Sequence, residues 1–393
     1  MHLSNRELFL QHVAQTSPAP VGLEIVSAQG VYLKGADGKE YMDLISGISV
    51  SNVGHCHPEV VSAIEKQART YMHLMVYGEY IQSPQVELAA ALSKLLPQKL
   101  NTVYFVNSGS EATEGAMKIA KRFTGRSEII SCANSYHGST QGALSIIGSE
   151  FFKTNYRPLL PGIKTADYND DAAIDEITEK TACIIVEVVQ SEAGVVPARP
   201  EWLKKLHSRC QDVGALLVFD EVQTGFGRTG TFFAFEQCGV APDILTLGKG
   251  MGGGMPIGAF VASAEIMHVL TDNPVLGHMT TFGGHPVCCA AALASLQVIA
   301  ENKLYQRAGE IQRILQQELV HPKIKELRAQ GALAAVDFGD EKFNMEVIHK
   351  CISSGVITDW FLFNPQSMRI APPLTITDAE LKKACRVILS AIG

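Results

Sequence analysis

Lys249 stands in a turn that is rich in glycine, TLGKGMGGGMPIGA over residues 246–259. Glycines let a backbone approach a bulky ligand, and a lysine partly removed from water has a lowered pKa, which makes its amine nucleophilic toward an aldehyde. Such a lysine can form a Schiff base. A solvated surface lysine would show the same local pattern. A nucleotide-binding P-loop is excluded, because that motif needs an earlier glycine near Asp243 and Ser or Thr where Gly250 stands.

Asp220 ends an apolar run within ALLVFDEVQTGFGRTG, residues 215–230. In open α/β sheets, ligands bind outside the carboxyl ends of strands, and a carboxylate there can keep a ring nitrogen protonated. A polar strand end that caps a neighbouring helix is the alternative. Gly225, Gly227 and Gly230 match G-x-G-x-x-G, but they lead into an aromatic segment and no acidic residue closes a second strand about 20 residues on. A dinucleotide site therefore fits poorly.

The segment FVNSGSEATEGAMKIAKR, residues 105–122, runs from a predicted strand through a Ser-Gly-Ser turn into an amphipathic helix. Ser108 and Glu111 have the spacing of a capping box. The helix start offers free N–H groups and hydroxyls to a phosphate, although a capped helix without a ligand has the same pattern. A phosphate site, a carboxylate for a ring nitrogen and an imine-forming amine together meet the requirements of pyridoxal 5′-phosphate.

The elements that position these residues alternate strands with helices. Short apolar runs rich in Val and Ile lie at residues 103–106, 129–132, 183–189, 215–219, 244–247 and 257–262. With helical periods between several of them, they predict an α/β fold with a mainly parallel sheet. Residues 30–43 predict a hairpin with an Asp-Gly turn, a long helix follows Pro286, and both chain ends are expected to form a smaller domain.

Composition limits the possible partners. The chain has 393 residues, with 33 Lys and Arg against 40 Asp and Glu, so its net charge of −7 gives no basic surface for nucleic acid. The beginning, MHLSNRELFL, lacks an apolar signal core, and we expect a soluble protein without a membrane span. Nine cysteines without a C-x-x-C motif predict free thiols and a reducing cytoplasm.

In combination these segments resemble the class III aminotransferases of the fold-type I pyridoxal-phosphate enzymes, which include acetylornithine, ornithine and 4-aminobutyrate aminotransferases. The likeness runs in order from about Gly30 to about Thr377, and the interval from Asp220 to Lys249 matches the family spacing. The resemblance implies a large domain with a mostly parallel seven-stranded sheet between helices, and a smaller α+β domain from both chain ends. The expected bounds are 1–57 and 291–393 for the small domain and 58–290 for the large, cofactor-binding domain.

The resemblance also implies roles for individual residues. Cofactor contacts are expected from Ser108, Gly109, Ser110, Tyr136, His137, Gly138, Glu187, Asp220, Gln223, Lys249 and Thr281. Among these, Lys249 is similar to the Schiff-base lysine and catalytic base, Asp220 to the catalytic partner of the ring nitrogen, and Tyr136 to the ring-stacking aromatic residue. Gln223 resembles the residue beside the phenolic oxygen, and Thr281 resembles a threonine that reaches the phosphate of a neighbouring subunit, which implies a homodimer.

For substrates the resemblance implies that Arg369 grips a carboxylate and that Glu192 can pair with this arginine and mask it. The presence of both Arg369 and Glu192 favours an ω-amino donor and an α-oxo acid acceptor, 2-oxoglutarate or pyruvate, in a ping-pong transamination. Racemases, aminomutases and a decarboxylase share the scaffold and remain the nearer alternatives. A non-catalytic, nucleotide-binding α/β protein is the remote one.

Some positions depart from the family pattern. Val188 and Ser191 replace a usual Pro and Gly, and His285 stands where Asn is usual. Ser139 stands where many relatives have an arginine for the donor's carboxylate, so this substrate-binding position predicts a donor that lacks that group or binds it elsewhere, for example at Arg157. The sequence GHCHP, residues 54–58, also matches a family motif, which disfavours a metal site there.

Overall fold

The computed structural model describes residues 3–393. The strands, in chain order, are β1 Ile25–Gln29, β2 Tyr32–Gly35, β3 Glu40–Asp43, β4 Thr102–Val106, β5 Glu128–Cys132, β6 Ile163–Ala166, β7 Thr181–Glu187, β8 Val189–Gln190, β9 Val196–Pro197, β10 Leu216–Asp220, β11 Ile244–Leu247, β12 Gly258–Ala262, β13 Glu326–Gln330, β14 Leu333–Asp337, β15 Val356–Ile357, β16 Asp359–Phe361 and β17 Asn364–Ile370. The α-helices are α1 Asn5–His12, α2 Ser46–Ser49, α3 Pro58–Thr70, α4 Ser83–Leu95, α5 Gly109–Thr124, α6 Gln141–Ser145, α7 Ala172–Asp175, α8 Pro200–Val213, α9 Ala264–His268, α10 Pro286–Glu301, α11 Leu304–Glu318, α12 Glu341–Ser353 and α13 Asp378–Ile392.

A seven-stranded sheet forms the centre of the fold, in the order β4-β12-β11-β10-β7-β5-β6. Its pairs are parallel except where β12 runs antiparallel to both β11 and β4. The predicted mostly parallel sheet between helices is therefore confirmed. The six predicted strands are present, the one at 244–247 with the predicted bounds and the others with shifted ends. Strand β6 was not predicted, because its sequence IKTA contains too short an apolar run.

The sheet is buried on both faces. Successive residues of β7 alternate between two hydrophobic clusters, with Cys183 and Ile185 packed in the cluster that includes helix α5. Ile184 and Val186 belong to the other cluster, which contains the fully buried Trp202 of α8. This double burial explains why the strands are continuously apolar, and it fixes the positions of the loops at the strand ends.

The two chain ends pack together. The predicted hairpin forms from β2 and β3, and β15 near the other end of the chain pairs parallel with β3. Val31 and Met42 share a core with residues of α11 to α13, such as Ile388. A second sheet, in the order β13-β14-β17-β16, carries Arg369 close to the end of β17. The bounds 1–57, 58–290 and 291–393 remain a prediction.

Among the described residues, no helix by itself combines the length and apolar character needed to cross a membrane. Helices α10 and α11 meet those criteria only when taken as a pair, bent by 66°.

Candidate active site

A cavity of about 190 Å³ lies where strands β7, β10 and β11 end and helix α5 begins. It is lined by Ser108, Gly109, Ser110, Tyr136, His137, Gly138, Glu187, Val189, Ser191, Glu192, Asp220, Val222, Gln223, Thr224 and Lys249. The cavity thus brings together every predicted cofactor-contacting residue except Thr281. It lies at the edge of the sheet where ligands of α/β proteins bind.

Lys249 reaches this cavity from a special turn. Strand β11 ends at Leu247, Gly248 is extended, and Lys249 takes a left-handed conformation with φ of +46°. Left-handed backbone is rare for residues with a side chain, and it concentrates at functional sites. A Cβ on Gly250 would lie 2.5 Å from the side chain of Asn52, so the glycine after the lysine is required by close packing.

The Lys249 amine is partly buried and hydrogen-bonded. Its Nζ donates to Gln223 Oε1 at 2.7 Å. Burial is the main cause that lowers the pKa of Lys249; the charge of Glu192 opposes this effect and that of Arg369 reinforces it. A lowered pKa increases the fraction of neutral amine, which is the nucleophilic and basic form.

Asp220 forms a buried pair with His137. Asp220 Oδ2 lies 2.7 Å from His137 Nδ1, and Oδ1 accepts a hydrogen bond from Val222 N at 2.9 Å. Burial by itself lowers the pKa of His137, but the hydrogen bond and charge of Asp220, with the charge of Glu187, raise it above its usual value. The sequence grouped His137 with Tyr136 and did not predict its pairing with Asp220, which lies 83 residues away.

Glu187 holds the loop that carries Tyr136. Its Oε1 accepts a hydrogen bond from Tyr136 N at 2.8 Å, and its Oε2 accepts one from Ser191 N at 3.1 Å. Burial raises the pKa of Glu187 to about 7, opposed by the charge of His137 and reinforced by that of Asp220. Glu187 therefore links two loops of the cavity wall.

The start of α5 corrects one detail of the sequence analysis. Ser108 Oγ accepts a hydrogen bond from Glu111 N at 3.2 Å, but Glu111 Oε2 accepts from the backbone and side-chain nitrogens of Asn107, both at 2.8 Å. The predicted capping box is therefore only half formed, because Asn107 offers Glu111 two donors. This arrangement leaves the Ser108 N–H free of the Glu111 carboxylate.

Two glycines keep the same end of the cavity open. A Cβ on Gly109 would lie 2.6 Å from Val222 Cγ1, and one on Gly138, whose φ is +123°, would lie 2.1 Å from Ser110 Oγ. Ser110 Oγ also accepts a hydrogen bond from Ser139 N at 3.3 Å. Side chains larger than hydrogen would therefore displace the Ser110 hydroxyl or the wall around it.

Arg369 lies behind the cavity wall and is paired with Glu192. Its Nη2 donates to Glu192 Oε2 at 2.7 Å and to the carbonyl oxygen of Trp360 at 2.9 Å. The guanidinium stacks on the ring of Phe361 at 4.7 Å and lies 3.3 Å from the carboxylate of Asp359, a contact that the sequence did not predict. In this structure Glu192 therefore occupies a hydrogen-bonding position of Arg369 that a substrate carboxylate would use.

Besides Arg369, three predicted residues lie outside the cavity. Thr281 and Ser139 are exposed, and Arg157 forms an ion pair with Glu150 on the surface. Thr280, the neighbour of Thr281, accepts a hydrogen bond from Asn107 Nδ2 at 2.8 Å, which ties this segment to the start of α5.

Comparisons with known proteins agree with this geometry. The family model described as aminotransferase class-III matches residues 13–392. The acetylornithine aminotransferase of Methanocaldococcus jannaschii is 41% identical over 90% of this chain and 89% of its own, and that of Archaeoglobus fulgidus is 35% identical over 97% and 98%.

Solved structures give the same result. An ornithine aminotransferase from Toxoplasma gondii, described with partial occupancy of PLP at its active site, superposes with a TM-score of 0.90 at 32% identity, covering 98% of this chain and 92% of that one. An (S)-enantioselective ω-transaminase from Thermomicrobium roseum superposes with a TM-score of 0.89 at 29% identity, covering 100% and 99%. The chain belongs to the class III aminotransferases and is a pyridoxal-phosphate-dependent transaminase.

Proposed function

We propose that this enzyme transfers an amino group from an ω-amino donor to an α-oxo acid, 2-oxoglutarate or pyruvate, in a ping-pong cycle. The observation that carries the proposal is the buried ion pair between Arg369 and Glu192, whose two charges act in opposite directions on the pKa of the partly buried Lys249 amine. A donor that reacts at a terminal amine brings no α-carboxylate and needs this arginine neutralised. An α-oxo acid needs an arginine that is free to bind its carboxylate. A Glu192–Arg369 pair that can form and separate would therefore suit both substrates.

The cavity residues fit pyridoxal 5′-phosphate. The first N–H groups of α5, which have no partner within the helix, and the Ser110 hydroxyl would hold the phosphate. Asp220 would hold the proton on the ring nitrogen, Tyr136 would stack on the ring, and Gln223 would lie beside the phenolic oxygen. When bound, the cofactor supplies an aldehyde that condenses with amines and a protonated ring that delocalises an electron pair.

His137 and Asp220 would act together in this site. The hydrogen bond from His137 Nδ1 would orient the Asp220 carboxylate toward the ring nitrogen. A charged carboxylate is the form that keeps a ring nitrogen protonated.

Lys249 would act as the proton carrier. Because burial lowers its pKa, the amine is neutral in a larger fraction of molecules and can take a proton from the substrate carbon next to the reacting nitrogen. Gln223 Oε1 accepts a hydrogen bond from the same amine and would hold it in place. In the second half-reaction Lys249 would return the proton, while Arg369 binds the α-carboxylate of the oxo acid.

The proposal is tested by a half-reaction screen. Purified cofactor-loaded enzyme is mixed with single amines in the absence of an oxo acid, and the loss of visible absorption is followed. We expect ω-amino compounds to discharge the absorption and 2-oxoglutarate or pyruvate to restore it. Turnover that needs no oxo acid would contradict the proposal in favour of a racemase, an aminomutase or a decarboxylase.

We also propose that the working unit is a homodimer. Exposed apolar side chains occur in two segments, residues 72–81 and 275–282, where Ile81 is 96% and Phe282 is 55% exposed. Thr281 lies within the second segment, so an interface there would bring it toward a second copy. Sedimentation at several concentrations tests this state, and a monomer with full activity would contradict it.

The compartment that we propose is the reducing cytoplasm. All nine cysteines are free in the structure, and only Cys56 among them is exposed. Thiol titration of enzyme purified without reductant, before and after unfolding, is expected to find one accessible thiol and then nine. A lower total would indicate disulfides and contradict this assignment.

A further inference from the structure

Asp359 is a second carboxylate beside Arg369. It lies in β16, and the register of β16 with β17 places Asp359 directly opposite Arg369. Asp359 Oδ1 is 3.3 Å from Arg369 Nε, while Glu192 Oε2 is 2.7 Å from Nη2. The Arg369 side chain is only 2% exposed. One buried cation therefore faces two carboxylates from different parts of the chain.

The two carboxylates are bound differently. Glu192 Oε2 accepts hydrogen bonds from Arg369 Nη2 and from Leu362 N. Within residues 3–393, by contrast, Asp359 Oδ1 is buried and accepts no hydrogen bond, and Nε and Nη1 of Arg369 donate none. Protonating Asp359 thus sacrifices an ionic contact but no hydrogen bond at Oδ1, whereas neutralising Glu192 would weaken two hydrogen bonds.

Charge balance makes this difference important. With both carboxylates ionised, the group formed by Arg369, Glu192 and Asp359 carries one excess negative charge in a buried place. A substrate carboxylate that binds to Arg369 would add another, and uncompensated buried charge is strongly unfavourable. Binding is therefore easier when one of the resident carboxylates is neutral.

We propose that Asp359 is a positioning residue for the carboxylate-binding arginine, and that it takes up a proton when a substrate carboxylate binds to Arg369. The inference rests on the proposed function, because it assumes that Arg369 binds the oxo acid. In the free site the charge of Asp359 would hold Nε, and Phe361 would hold the guanidinium plane in both states. The arginine would thus keep its orientation while Glu192 gives up its hydrogen bond to Nη2 but stays within the buried group.

The electrostatics of Asp359 support the inference. Burial raises the pKa of Asp359 to about 7, opposed by the charge of Arg369 and reinforced by those of Glu192 and Asp43. These charged groups come from β17, from the turn after β8 and from the end of β3. Below pH 7 Asp359 is neutral in the free site and binding needs no proton. Above pH 7 binding must take up one proton, so affinity falls about tenfold for each pH unit.

The test measures binding and not turnover. Glutarate, a dicarboxylate without an oxo group, is titrated into cofactor-loaded enzyme by calorimetry between pH 6 and pH 9, in buffers with different heats of ionisation. For the wild type we expect Kd to rise about tenfold per pH unit above pH 7, with close to one proton taken up at pH 8.5. For Asp359→Asn we expect a flat Kd and no proton uptake attributable to this site.

Matched variants separate the possible outcomes. At pH 6 the wild type and Asp359→Asn are expected to bind glutarate equally, which also shows that the variant is folded. Glu192→Gln, which permanently neutralises one of the two carboxylates, is expected to bind more tightly above pH 7 and with a weaker pH slope. An unchanged pH slope in Asp359→Asn overturns the inference, and so does a full wild-type slope in Glu192→Gln.

Arg369→Gln tests the assumption that Arg369 binds the substrate carboxylate. This variant is expected to lose glutarate binding at every pH. If it binds as well as the wild type, the proposed carboxylate site itself is wrong. If it loses binding while Asp359→Asn keeps the wild-type slope, only the role of Asp359 is refuted.

Discussion

The lysine end of the site and the arginine end hold their residues in different ways. Asp220 is the last residue of β10, and Lys249 lies two residues after the end of the neighbouring strand β11. Glycines keep space open beside the lysine turn and at the start of α5. Arg369 is held by carboxylates and an aromatic ring, and its partner Glu192 lies 177 residues away in the chain. Backbone geometry fixes the first end, whereas exchangeable ionic contacts set the second. We therefore expect changes at the first end to abolish the chemistry and changes at the second to alter specificity.

The largest effect is expected from Lys249→Ala. The substitution removes the amine that would bind the cofactor and carry the proton, and loss of such a group reduces rates by about 10³-fold or more. Steady-state transamination with the best donor from the amine screen measures it. Lys249→Arg keeps a positive charge but supplies no neutral amine at neutral pH, so it should be equally inactive. Activity in either variant above one tenth of the wild type would contradict the assigned role.

Asp220→Ala is expected to follow, with a loss of kcat of about 10²-fold to 10³-fold, comparable to removing a preorganised electrostatic partner. The substitution removes the carboxylate that would keep the ring nitrogen protonated, and it leaves the buried His137 without its hydrogen-bond partner. Residual cofactor content, measured from the visible spectrum, separates lost chemistry from lost binding. A variant with full cofactor content and wild-type kcat would show that Asp220 merely closes the turn at Val222.

His137→Asn is expected to have a smaller effect. The amide can still donate to Asp220 but carries no charge, so we expect kcat to fall by about tenfold, the difference between a charged and a neutral hydrogen bond. The pKa of His137 is raised in the folded protein, so its pairing stabilises the fold at low pH and this contribution is lost as pH rises through the folded pKa. Melting temperatures above pH 7 should therefore decline more steeply for the wild type than for the variant. Parallel curves would contradict a charged His137.

The same contrast explains what could be predicted from the sequence. Lys249, Asp220 and Ser110 could be predicted because each lies at, or within a few residues after, the end of a strand, and local sequence records both the strand and the turn that follows it. The pairing of Asp220 with His137 and the contact between Asp359 and Arg369 depend on which strands and loops become neighbours. No local pattern encodes the β16–β17 register, so Asp359 was missed.

Small local details were also missed for physical reasons. Glu111 has the correct spacing from Ser108 for a capping box, but Asn107 competes successfully for its carboxylate with two donors. The spacing therefore predicted the helix start correctly and the hydrogen-bond partner incorrectly. Strand β6 was not predicted from the sequence, because an edge strand buries fewer side chains and needs a shorter apolar run.

The smallest effect is expected from Ser139→Arg, at the exposed margin of the phosphate end. Ser139 N donates to Ser110 Oγ, so the backbone is tied to the cavity while the side chain is free to point toward a bound donor. A guanidinium there should improve kcat/KM for donors with a distal carboxylate by about twofold to fivefold, the range of a solvent-exposed ion pair, because water weakens the contact. Ser139→Met, which adds length without charge, is the matched control, and donors without a carboxylate should respond to neither change. An equal gain from both variants would mean that added apolar contact matters at this position. An unchanged kcat/KM for carboxylate donors in Ser139→Arg would mean that position 139 does not contact the donor's distal group. If Arg157→Gln then lowers kcat/KM for the same donors, the distal carboxylate binds at Arg157, which pairs with Glu150 on the surface.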